Sequence, residues 1–167
     1  MKVNGKPFRS IWLNSDGWSV SIIDQTLLPH RFEFRRLKSA EDAAEAISSM
    51  RVRGAPLIGA TAAFGMALAM KKDSSDQSLE SVSGRLLATR PTAVNLRWAL
   101  ARMVEELLPL DSSERPPAAY ELCRRICDED VEINFRIGRN GLGLIRNIWE
   151  EKRDRNDVIH ILTHCNA

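Results

Sequence analysis

The period of apolar and polar positions changes along this chain, and the changes divide it into elements. In the first third, short β-branched or aromatic segments at 10–14, 19–24 and 31–36 are separated by the turn signals Ser15-Asp16-Gly17 and Leu28-Pro29-His30. Val20 and Ile22 alternate with polar neighbours, and so do Phe32 and Phe34. This predicts a small antiparallel meander with those side chains on its buried face. From Ser39 the spacing becomes helical. Ser39 suits an N-cap, Glu41 and Asp42 suit the positive end of a first turn, and Ala43, Ala46, Ile47 and Met50 form one stripe. A second helix is predicted to start near Gly54-Ala55-Pro56, because a first-turn proline has no N–H to leave unpaired, and its small residues permit close packing. A third is predicted over 79–87. A fourth runs from Thr92 as N-cap through Leu96, Leu100, Met103, Val104 and Leu107, with Pro109 closing it. Pro116-Pro117 opens a long helix whose Leu122, Ile126, Ile133 and Ile137 keep helical spacing as far as Gly138 or Gly141, and a short helix over 142–152 is expected after it.

The charged stretch 150–157 gives way to Val158-Ile159-His160-Ile161-Leu162, a compact run resembling the buried first strand of a parallel sheet. The expected fold class is therefore α+β: a small antiparallel β-meander packed on a helical bundle, followed by the first strand of a missing Rossmann-like α/β domain. Residues 1–155 are expected to form the amino-terminal domain, and 156–167 to open a truncated carboxyl-terminal one.

Composition narrows the function. A chain of 167 residues can build its own core. Its 24 basic and 22 acidic residues leave a net charge of +2, which argues against a nucleic-acid footprint or a membrane-binding face. The longest uncharged run, 54–70, is shorter than the roughly 20 apolar residues of a membrane span. Cys123, Cys127 and Cys165 make no metal-type spacing with His30, His160 and His164, so no metal is expected and the setting reads as reducing and cytoplasmic. The first ten residues lack the apolar core of a signal peptide.

Candidate chemistry lies at three places. Arg51-Val52-Arg53-Gly54-Ala55-Pro56 sets two guanidinium groups and a glycine before an uncapped helix start, an arrangement that suits an anion. Arg90-Pro91-Thr92 repeats the design before the fourth helix, so the two starts can converge on one phosphoryl group. In both segments the competing reading is a solvated surface charge. Thr163-His164-Cys165-Asn166 lies at the carboxyl end of the proposed strand, where open α/β sheets place ligands; Cys165 is either a reactive thiol there or an inert small hydrophobe. Cys123 with Cys127, the acidic group Asp128, Glu129, Asp130 and Glu132, and Trp12, Trp18, Trp98 and Trp149 read as core, solvated helix face and packing.

Taken together, Arg53-Gly54-Ala55-Pro56 with Ile58-Gly59, Arg90-Pro91-Thr92-Ala93-Val94-Asn95-Leu96 and Leu162-Thr163-His164-Cys165-Asn166-Ala167 resemble the methylthioribose-1-phosphate isomerases of methionine salvage, relatives of the translation initiation factor 2B subunits. Asp24-Gln25-Thr26-Leu27-Leu28-Pro29 and Ile137-Gly138-Arg139-Asn140-Gly141 add to the resemblance, although Asn140 stands where the pattern leads one to expect histidine. The resemblance implies an aldose-ketose isomerase without metal or organic cofactor, homodimeric at full length, with a small sugar phosphate as substrate and no nucleic-acid or membrane partner. It implies substrate binding by Arg53, Gly54, Ala55 and Arg90 and a catalytic role for Cys165. The partner Asp of the family has no counterpart in this sequence, so the chain by itself is expected to lack turnover. The alternatives are a non-catalytic subunit of the initiation factor 2B kind and a ribose-1,5-bisphosphate isomerase.

Overall fold

The computed structural model describes residues 2–3, 5–152 and 158–162. Its contacts divide the chain into two units, Met1–Ile126 and Cys127–Ala167.

The first unit opens with a hairpin of β1 (Lys2–Val3) and β2 (Lys6–Pro7), too short for any periodicity to announce it. The meander follows as β3 (Ile11–Leu13), β4 (Val20–Ile23) and β5 (Phe34–Leu37), antiparallel in that order. Its register pairs Ile11 with Ile22, Val20 with Leu37 and Ile23 with Phe34. Paired residues share a face, so Ile11, Val20, Ile22 and Leu37 form the buried side. Phe34 therefore lies on the other face, 48% exposed, against Phe8, Trp12 and Phe32. The expected alternation is corrected here: Leu37, not Phe34, sets which residues of β5 point inward, and a shift of one residue exchanges the two faces.

Helix α1 (Ala40–Ser48) begins with a capping box, in which Ser39 Oγ accepts the Asp42 N–H at 3.1 Å and the Asp42 carboxylate accepts the Ser39 N–H at 3.1 Å. Its buried stripe is Ala40, Ala43, Ala46 and Ile47. Met50 was expected to continue that stripe but lies past the helix end at φ 60°, 43% exposed. Helix α2 (Ala55–Lys72) is the centre of the unit, buried from Ile58 to Met70 and packed against α1, α3 (Asp76–Thr89) and α4 (Val94–Leu107). Its small residues make this possible. A Cβ on Gly65 would lie 2.9 Å from the Ala43 Cβ, and one on Gly59 would lie 2.8 Å from the Asn95 carbonyl oxygen.

Helix α5 (Arg115–Glu151) is one continuous element, not the two expected. A glycine weakens a helix by only about 1 kcal/mol, so Gly138, Gly141 and Gly143 need not end it. Arg115, 4% exposed, fixes its beginning by donating to the Leu107, Leu108, Leu110 and Ser74 carbonyls and pairing with Asp76. The bonds to Leu107 and Leu108 fall on carbonyls at the end of α4, where no further helical turn follows to pair them.

In the second unit the distal part of α5 exposes Val131, Ile133, Phe135, Ile137, Leu142, Leu144, Ile148 and Trp149. Val158, Ile159, His160, Ile161 and Leu162 take part in no strand, and Leu162 is 98% exposed. The β character of that run is not expressed because a ladder needs a neighbour to bond. Residues 163–167, where the run was expected to lead to Cys165, lie outside the described residues. No helix among the described residues is long and apolar enough to cross a membrane.

Candidate functional site

The approach to α2 is built on a buried anchor. Val52 is fully buried and donates its N–H to the Ala46 carbonyl at 3.2 Å, fixing the chain between the end of α1 and the start of α2. The two arginines beside it do different work. Arg51 donates from Nη1 to Asp24 Oδ2 at 2.7 Å and from Nε to both Glu45 oxygens at 3.1 Å. The hydrogen bonds it donates to Glu45 and Asp24 raise its pKa, in spite of partial desolvation. Arg51 is therefore committed to the scaffold and is not the second anion-binding group that its sequence position suggested. Arg53 is exposed, and among the described residues its guanidinium meets no hydrogen-bond or ion-pair partner.

Asp24 is the residue around which this approach is organised, and sequence reasoning gave it no role. Its side chain has no exposed surface. It accepts from the Thr26 N–H at 3.1 Å, Thr26 Oγ1 at 2.6 Å, Arg35 Nε at 3.1 Å and Arg51 Nη1 at 2.7 Å. Burial alone would raise the carboxyl pKa; the bonds from Thr26, Arg51 and Arg35 outweigh it and lower the value to about 2. The signal was an Asp with Thr two residues on, the pattern of an Asx turn, directly after an apolar strand. Next to it, Gln25 donates its N–H to the Arg51 carbonyl at 2.9 Å, and its Oε1 accepts the Arg53 N–H at 3.1 Å.

Gly54 is the N-cap of α2 at φ 93°, ψ 132°, a conformation that favours glycine. No side chain caps this helix start, so the first-turn N–H groups at Ala55, Pro56's successor Leu57 and beyond have no side-chain acceptor. Ala55 and Pro56 are exposed.

The start of α4 is similar in one respect and different in another. Arg90 is the C-cap of α3 at φ −149°, half-buried, with no partner for its guanidinium among the described residues. A turn closed by the Ala93 N–H on the Arg90 carbonyl at 3.0 Å leads into α4. The N-cap is Ala93, without a side-chain hydrogen bond, rather than the expected Thr92, which lies exposed in the turn. The α4 start is thus uncapped as well.

The two starts are neighbours. Gly59 sits one turn into α2, and its backbone approaches so closely that a Cβ there would stand 2.8 Å from the Asn95 oxygen and 3.4 Å from the Ala99 Cβ. Asn95 is the second residue of α4. One helical turn is about 5.4 Å, so the first turn of α4 lies about one turn from the first residues of α2. Among the described residues this arrangement presents two sets of N–H groups without a side-chain cap, with partial positive charge at both helix ends and one guanidinium without a partner associated with each. It can receive an anion with several oxygens, such as a phosphate ester.

Cys165 lies outside the described residues, so the structure does not relate it to these helix starts. Cys123 is buried, and Cys127 half-buried, on α5. Asp128, Glu129 and Glu132 are exposed on the same helix, Glu132 pairing with Arg136 and Arg139. Among the described residues no three His, Cys, Asp or Glu side chains gather in a way that could hold a metal ion.

Comparison with known proteins places this geometry in a family. The chain is 56% identical over 167 residues to the methylthioribose-1-phosphate isomerase of Rhodospirillum centenum and 54% identical over 167 residues to that of Brucella anthropi. All of the chain is matched, but it spans only 44% and 46% of those proteins. Among solved structures it is similar to the 5-methylthioribose 1-phosphate isomerase of Pyrococcus horikoshii, with a TM-score of 0.73 and 40% identity over 81% of this chain and 40% of that one. It is also similar to the delta subunit of translation initiation factor eIF-2B from A. fulgidus, with a TM-score of 0.69 and 32% identity over 75% of this chain and 38% of that one. The sequence pattern of the initiation factor 2 subunit family covers residues 51–167, from the arginine segment ahead of α2 onward, and the chain belongs to that family.

Proposed function

We propose that this chain supplies the phosphate grip of an aldose-ketose isomerase that converts 5-methylthioribose 1-phosphate into 5-methylthioribulose 1-phosphate. The observation that carries the reading is the adjacency of two uncapped helix starts, each with an arginine that has no partner among the described residues. The relatives named methylthioribose-1-phosphate isomerase support the choice of substrate. A phosphate on carbon 1 locks an aldose as a ring, so the ring must open before hydrogen moves between carbons 1 and 2. The protein must hold the phosphate while acid-base groups act on the carbons. In this reading Arg53, Gly54, Ala55 and Arg90 bind the phosphate end. Cys165 is the thiol beside the reacting carbons. The partner acid-base group belongs to the part of the relatives that this chain does not span. No external hydride carrier is needed, because the reaction moves hydrogen within one molecule. The same reading takes 1–155 as the grip domain and 156–167 as the first strand of a Rossmann-like domain, in a cytoplasmic homodimer.

The test is an NMR titration of the chain with 5-methylthioribose 1-phosphate. Amide shifts are expected at 54–58 and 93–97, with weaker binding in Arg53→Ala and in Arg90→Ala; shifts at neither helix start would overturn the assignment. The 167 residues alone are expected to bind without turnover, and isomerisation at an ordinary enzymatic rate would refute the division of labour.

A non-catalytic subunit is the second reading, favoured by the likeness to the eIF-2B delta subunit. Such a subunit does not need the thiol. Replacing Cys165 in a full-length protein carrying this sequence would leave its function intact on that reading, and would abolish isomerisation on the first.

A further inference from the structure

We propose that Gln25 is a positioning residue for the phosphate grip, acting through the Arg53 peptide rather than on substrate. This rests on the anion-binding reading of the two helix starts. Gln25 holds the approach to α2 at two points, with its N–H on the Arg51 carbonyl at 2.9 Å and its Oε1 on the Arg53 N–H at 3.1 Å. The two bonds bracket Val52, which is buried, so three consecutive residues are fixed immediately before Gly54. Glycine is the most permissive residue of the backbone, and Gly54 stands at φ 93° with its carbonyl accepting the Ile58 N–H at 3.0 Å. On the approach side, the Gln25 bond to the Arg53 N–H falls on the residue directly before it. It decides where the Arg53 side chain leaves the backbone and where the first N–H groups of α2 point.

Behind Gln25, Asp24 is immobilised by Thr26, Arg35 and Arg51, so the clamp is mounted on the rigid end of β4. The Gln25 side chain accepts from the peptide and carries no charge, so it adds no repulsion beside an anion. A glutamate would accept the same bond but oppose the phosphate. The role is therefore one of placement, with a cost in affinity when it is removed.

The experiment compares the wild-type chain with Gln25→Met, which keeps the length of the side chain and deletes the acceptor, and with Gln25→Asn, which withdraws the acceptor by one methylene. Binding of 5-methylthioribose 1-phosphate is followed by NMR, with the melting temperature and amide exchange measured in parallel. Both variants are expected to lose protection at the Arg53 N–H and to raise the dissociation constant about 2- to 10-fold, the value of one hydrogen bond, while melting close to wild type. If Gln25→Met does not fold, Gln25→Asn decides. Wild-type affinity in the folded variants would overturn the positioning role and leave the phosphate grip standing. A wild-type chain that shows no shifts at either helix start would remove the grip itself, and the role of Gln25 with it.

Discussion

The two arginine-bearing helix starts look alike in sequence and are held very differently. Ahead of α2, a buried carboxylate holds Arg51, burial and the Ala46 carbonyl hold Val52, and a glutamine holds the Arg53 N–H. Ahead of α4, the stretch from Arg90 to Ala93 is tied by one backbone turn, by Thr89 Oγ1 on the Leu86 carbonyl at 2.6 Å, and by a long 3.5 Å contact from Arg97 to the Pro91 carbonyl. A segment with few bonds opens at lower free energy than one with many. The α2 start is thus the preformed wall of the candidate site and the α4 start its adjustable one. What joins them is the close approach at Gly59.

The largest effect expected from breaking this contrast is at Asp24. Replacing it with Ala leaves Arg35 and Arg51 without their shared partner and should lower stability by about 3 kcal/mol, short of the upper end for buried pairs because both arginines keep some contact with water. Urea denaturation measures this, and a loss under about 1 kcal/mol would show that the network does not hold the α2 start. The same carboxylate predicts a pH dependence. Its folded pKa of about 2 lies below its ordinary value of 3.8, so its contribution is complete above 3.8 and is lost as the pH falls through 2. Asp24→Asn should abolish that acid-dependent part of stability between pH 4 and pH 2.

Next in size is the junction between the two starts. Gly59→Val puts a branched side chain against the Asn95 carbonyl, which belongs to a helix backbone and cannot rotate away. Overpacking of this kind costs about 2 kcal/mol. The substitution should also weaken phosphate-ester binding at both starts, because it moves one relative to the other. A variant that loses stability but keeps wild-type binding would show that adjacency of the starts is not what makes the site.

How much of this was legible in the sequence differs between the two starts as well. Gly54 and Pro56 marked the α2 start correctly because backbone rules are local: a proline fits a first turn and a glycine fits a positive φ. The meander strands, the α1 cap at Ser39, the existence of α3 and the packing stripe of α4 were readable for the same reason. Of the readings that failed, those of Arg51 and Phe34 depend on partners distant in sequence, whereas Thr92 failed locally. Thr92 has the chemistry of a cap, but the turn back to Arg90 makes Ala93 the cap residue. Arg51 and Arg53 are equivalent on paper; Asp24, 27 residues earlier, together with Glu45, makes Arg51 the scaffold arginine. Phe34 was assigned to the wrong face because Leu37, through its pairing with Val20, fixes the register.

A smaller effect is expected at Gly54. An alanine there keeps the helix start but meets the penalty of a Cβ at φ 93°, about 1–2 kcal/mol. The preformed wall should relax toward a more extended backbone, with a loss of affinity comparable to the loss of stability. If Gly54→Ala is as stable as wild type, the positive φ is not required at the α2 start.

The smallest effect on stability, and the sharpest on the contrast, belongs to Arg53. Its guanidinium has no partner among the described residues and its side chain is exposed, so Arg53→Ala should change the unfolding free energy by less than about 0.5 kcal/mol. Arg51→Ala, two positions away, should cost several times more, because it strips partners from the buried Asp24 and from Glu45. Binding of the sugar phosphate should reverse the order. A charge-assisted bond to phosphate contributes enough that its loss weakens binding about tenfold or more, and that loss should follow Arg53→Ala directly. Arg51→Ala should affect affinity only as far as the approach to α2 loosens. Denaturation and titration of the two variants side by side separate the scaffold arginine from the ligand arginine, and equal losses of affinity with equal losses of stability would mean that the α2 start makes no such division.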